Sequence, residues 1–67
     1  MSAPDLLDWR RSKEAEGHYI YQWHDFTIHL WTEPGAAELW RGDEISGADA
    51  EGDIHWLAQV AAEVENA

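Results

Sequence analysis

A chain of 67 residues has room for one domain and one hydrophobic core. It contains no cysteine, which excludes disulfides, thiolate metal sites and cysteine nucleophiles. Fourteen carboxylates stand against four basic residues, for a net charge of −10. Such a field repels nucleic acid and anionic membranes and draws basic partners inward.

The charge is unevenly placed. Residues 1–41 hold seven acids and all four bases (Arg10, Arg11, Lys13, Arg41), whereas residues 42–67 hold seven acids and no base. A core this small rarely supplies more than ~3–5 kcal/mol. Without disulfides the bulk must come from large rings: Trp9, Trp23, Trp31, Trp40, Trp56, Tyr19, Tyr21 and Phe26. Met1 to Arg11 lacks the basic-then-apolar order of a secretory signal, and no stretch approaches the ~20 apolar residues of a membrane helix. The expectation is a cytoplasmic single domain over residues 1–67.

In chain order, residues 4–15 are expected to form a first helix. Asp5 and Asp8 sit near the positive end of its dipole and Arg10, Arg11 and Lys13 near the negative end; Leu6 and Trp9 anchor it, and Gly17 stops it. Residues 18–23 and 26–32 read as a β-hairpin around His24-Asp25. Pairing Trp23 with Phe26, Tyr21 with Ile28 and Tyr19 with Leu30 puts one apolar set on one side, and a one-residue slip would mix the sets. His18, Ile20, Gln22, Thr27, His29 and Trp31 then share the other side. Pro34-Gly35 suits a type II turn into a third strand over 36–41, with Leu39 beside Leu30, Glu38 beside Trp31 and Trp40 beside His29. Residues 42–53 read as a polar loop by composition. Residues 54–65 carry Ile54, Leu57, Val60 or Ala61, and Val64 at helical spacing, behind Asp53 or Asp49 as N-cap.

These elements predict an α+β fold of order αβββα, a three-stranded antiparallel sheet packed by helices. Double-stranded RNA-binding domains share that order, but they grip phosphates with basic side chains, and acids stand here instead.

Little points to catalysis or cofactors. His18, His24, His29 and His55 follow no known ligand spacing, so no metal is expected, although His18 and His29 approach diagonally on the hairpin and make a histidine metal or pH sensor a third reading. Ser2, Ser12 and Ser46 lack a nucleophile context, the glycines form no phosphate loop, and so small a chain offers little volume for a lined pocket. The expectation is a non-enzymatic chain without a cofactor.

The remaining features point to a macromolecular partner. Asp43, Glu44, Asp49, Glu51 and Asp53 place five carboxylates in eleven residues. Duplex DNA carries about one charge per 1.7 Å of axis, and clustered carboxylates on a scaffold imitate that density; ordinary solvation and adaptation to salt are the competing readings of the same acids. Trp31 and Trp40, with Glu38, fall on the sheet side that nothing covers unless the first helix crosses to it. Tryptophan of that kind anchors interfaces. In these acids, in the Trp31 and Trp40 face and in size, the chain resembles small phage-encoded anti-CRISPR and anti-restriction proteins. The resemblance implies an inhibitor that mimics nucleic acid and blocks a basic nucleic-acid-binding protein or defence complex, in the cytoplasm of a bacterial host. The alternative is an assembly protein: a homodimer, or an accessory subunit, joined through the aromatic sheet face.

Overall fold

The computed structural model describes residues 6–66, with the side chain of Leu7 outside the description. After a short 3-10 turn, Leu6–Asp8, five strands follow in an unbroken meander: β1 (Arg10–Ala15), β2 (His18–Trp23), β3 (Phe26–Trp31), β4 (Ala36–Arg41) and β5 (Glu44–Asp49). They form one antiparallel sheet in the order β1-β2-β3-β4-β5, and α1 (Ile54–Glu65) lies against one of its faces. The fold is thus a five-stranded sheet with one C-terminal helix, which overturns the αβββα order expected from the sequence.

Two elements account for the difference. The expected first helix over 4–15 is, within the described residues, the 3-10 turn followed by β1; residues 4 and 5 lie outside the description. Every residue of β1 is exposed, because it is an edge strand with no layer above it. Trp9 still reaches the core, where it is only 4% exposed, but it packs against Trp23 at 5.5 Å between ring centroids on the helix-bearing side. The expected loop over 42–53 contains β5, which pairs along β4 with a bulge at Ser46.

The β2–β3 hairpin has the predicted register throughout, Trp23 opposite Phe26, Tyr21 opposite Ile28 and Tyr19 opposite Leu30. Its two-residue loop works because His24 takes a left-handed φ of 55°, a conformation that His adopts more readily than most residues. The third strand of the prediction, β4, keeps its faces but shifts by two residues: Leu39 lies opposite Ile28, Glu38 opposite His29 and Trp40 opposite Thr27. Trp31 pairs directly with Ala36, so the loop is Thr32–Gly35, closed by the Gly35 N–H donating to the Trp31 carbonyl at 3.0 Å.

The core lies between α1 and the near face of the sheet. Phe26, Ile28, Leu39 and Leu57 are fully buried, with Ala37, Ala58 and Ala61 between them. Alanines at the contact bring helix and sheet close, and each large side chain buried there contributes about 1.5–3 kcal/mol. Asp53 caps the helix, its carboxylate accepting the Trp56 N–H at 3.1 Å.

Candidate protein-interaction face

Because α1 occupies one face, the side chains that alternate with the core point to the other. Three cross-strand rows run over it. Ala15, His18, Trp31 and Ala36 form the first; Ser12, Ile20, His29, Glu38 and Ala48 the second; Arg10, Gln22, Thr27, Trp40 and Ile45 the third. Among the described residues no second helix or strand covers these rows.

An aromatic cluster occupies their centre. The His18 and Trp31 rings stack at 4.8 Å and 13°, as expected for side chains directly opposite on neighbouring strands. His29 lies 5.7 Å from Trp31 at 16° and meets Trp40 edge-on at 6.5 Å. The His18 Nε2 and His29 Nδ1 atoms are 3.3 Å apart, one donating and the other accepting. The Trp40 Nε1–H donates to Glu38 Oε1 at 3.1 Å, which fixes the indole on the sheet. All five side chains are half-buried: their rings shield each other at the flanks and leave the outer edges to solvent. A sheet face pre-ordered in this way loses little rotamer entropy when a partner arrives.

Charge is nearly missing from this region. Glu38 is the one carboxylate in β2, β3 and β4. Arg10 lies on this face, on the edge strand β1; of the other basic residues, Arg11 sits over the Tyr19 ring at 4.6 Å on the helix-bearing side, Lys13 pairs with Glu16 at 3.2 Å, and Arg41 donates to Asp25 at 3.0 Å. The guanidinium of Arg41 holds the Asp25 carboxyl below its ordinary value.

The five clustered acids do not form one patch. Asp43 and Glu44 lie at the β4–β5 turn, whereas Asp49, Glu51 and Asp53 lie at the far end of β5. Five residue steps of strand take Glu44 to Asp49, about 17 Å at ~3.3 Å per residue, which exceeds the ~8–10 Å Debye length of physiological salt. Two of the five also hold the chain together. Asp53 caps α1, and the Asp49 carboxylate accepts the Asp53 N–H at 2.6 Å. Asp43, Glu44 and Glu51 remain as exposed acids, and none of the three has a hydrogen bond or ion pair among those described.

Comparison with protein-family models, curated proteins and solved structures finds no match. The face therefore stands on its own chemistry. The sequence placed Trp31, Trp40, Glu38, His18 and His29 on one side of the sheet, and the structure brings those five into contact or adjacency. Ile45, 53% exposed and opposite Trp40, is an apolar member that the sequence reading missed. The alternation of Ile45 with the exposed Glu44 was its signal, hidden by the glycine and acids that follow. Trp56, 46% exposed on α1, belongs to the helix layer and not to this face. Among the described residues no helix is long and apolar enough to cross a membrane.

Proposed function

We propose that this chain is a non-catalytic protein-binding module that docks through the uncovered sheet face onto a basic partner. One observation carries the reading: β2, β3 and β4, which build the aromatic face, hold one carboxylate, Glu38, in a chain of fourteen carboxylates and net charge −10. An apolar, aromatic centre inside a charged rim is the usual anatomy of a specific interface. The flanking carboxylates supply steering, which raises association rate and selects partners of opposite sign.

The narrower form of the proposal names the partner class as a DNA- or RNA-binding protein, with this chain as an inhibitor in the manner of the anti-CRISPR and anti-restriction proteins it resembles. A groove built for phosphates is a basic surface that a net charge of −10 complements. With the acids divided between two ends of β5, the mimicry lies in the overall field and the aromatic face supplies the grip.

The test is affinity for the captured partner by titration calorimetry. Trp31→Ala with Trp40→Ala should weaken binding by at least ~30-fold, the effect of losing about 2 kcal/mol at an interface anchor. Duplex DNA or RNA should compete with the chain for the same partner. An affinity unchanged in the double variant would remove the docking face, and binding indifferent to nucleic acid would remove the inhibitor form alone. A second reading, a symmetric homodimer through the same face, is favoured by its low charge, since copies of a chain this acidic repel each other least there. Sedimentation of a plain monomer at micromolar concentration would end it.

A further inference from the structure

We propose that His18 and His29 form a two-point chelating site for a borderline divalent metal ion, with Zn2+ as the ion whose geometry it fits. The proposal does not depend on what docks on the face. It starts from the separation of 3.3 Å between His18 Nε2 and His29 Nδ1. For Zn–N bonds of about 2.05 Å, an ion bound to both nitrogens at that spacing subtends about 107°, close to the tetrahedral angle.

The two nitrogens face each other across a hydrogen bond, so on binding the donor ring passes to its other tautomer, freeing the nitrogen, and the rings turn off their common line so that both lone pairs meet the ion. Their positions are set by the β2–β3 register, in which His18 opposes Trp31 and Ile20 opposes His29. Trp31 stacks on both imidazoles, at 4.8 and 5.7 Å, and Trp40 meets His29 edge-on, so the pair is held together on the face between two indoles. Among the described residues no three metal-binding side chains are grouped to hold an ion, so the two histidines would be its only protein ligands. Glu38, the cross-strand partner of His29, is engaged by the Trp40 Nε1–H and supplies a nearby negative charge that favours a cation. From β1, the residues opposite are Ala15 for His18 and Ser12 for Ile20, and neither adds a charge.

The experiment uses the untagged chain with zinc chloride, and magnesium chloride as the hard-cation control. Zinc at about tenfold over its Kd should raise the Tm by roughly 5–10 °C, while magnesium at the same concentration leaves it unchanged. His18→Gln and His29→Gln should each abolish the shift, and His24→Gln and His55→Gln should retain it. In the unmodified chain, zinc should move the NMR ring signals of His18 and His29 and spare those of His24 and His55, a readout that needs no variant to fold. No shift at millimolar zinc, an equal shift with magnesium, or a shift that survives both key substitutions would overturn the site.

Discussion

Gly47 of β5 lies beneath Leu57 of α1: a Cβ built at Gly47 would stand 3.4 Å from the Leu57 Cδ2. Leu57 is fully buried and opposes the strand at the point where Gly47 pairs with Leu39. The helix therefore rests on β5 because the strand offers no side chain there. A methyl at position 47 makes ordinary contact, but a branched side chain must displace Leu57 or Val60.

From this relationship, Gly47→Ala should be close to neutral and Gly47→Val should cost about 1–3 kcal/mol by overpacking. Leu57→Ala should cost about 2–5 kcal/mol, comparable to the whole stability of so small a core, and leave much of the chain unfolded at 37 °C. Urea unfolding followed by tryptophan fluorescence checks the order Gly47→Ala, Gly47→Val, Leu57→Ala.

Asp53 and Glu51 are neighbours in the acidic segment with different tasks. Asp53→Ala removes the N-cap of α1 and should cost about 1 kcal/mol, seen as a fall in Tm of roughly 4–8 °C. Glu51→Ala, at an exposed position with no described partner, should leave the Tm within a degree or two. Thermal unfolding by circular dichroism separates the two.

The Asp25–Arg41 pair sets a pH dependence with a definite sign. The Asp25 carboxyl lies below its ordinary value of 3.8, chiefly through the hydrogen bond from Arg41. A group depressed on folding stabilises the fold above its unfolded value, and that stability is lost as pH falls through the folded value. Both partners are well exposed, so the effect on stability is small. NMR titration of the Asp25 carboxyl should show it moving up toward the ordinary range in Arg41→Gln.

Charge reversal should affect binding without affecting the fold when it avoids the structural acids. Asp43→Lys, Glu44→Lys and Glu51→Lys together should slow association and flatten its dependence on salt, with Tm little changed. Stopped-flow association between 50 and 300 mM salt measures both.

How far the sequence revealed the fold depends on which strands alternate. The β2–β3 register was legible because Tyr19, Tyr21 and Trp23, and after the loop Phe26, Ile28 and Leu30, alternate with a period of two, although the second strand ends at Trp31 and not at residue 32. β1 was not, since Arg10 to Ala15 has no buried residue to mark a face and its charges imitate a helix-dipole pattern. β5 was hidden because Gly47, the residue the helix packing requires, reads as a loop former. The shift of β4 by two residues came from the loop, whose length alternation alone does not specify; the faces survived because the shift is even. The aromatic site was legible for that same reason, whereas the division of the acids depends on β5 and so was out of reach.

The central claim is that the sheet face opposite α1 is the contact surface. Gln22 on that face and Gln59 on the exposed side of α1 are both exposed glutamines, suited to carry a photo-crosslinking side chain. With the captured basic partner, position 22 should crosslink efficiently and position 59 should not. Crosslinking from position 59 with none from position 22 would place the contact on the helix layer and contradict the account.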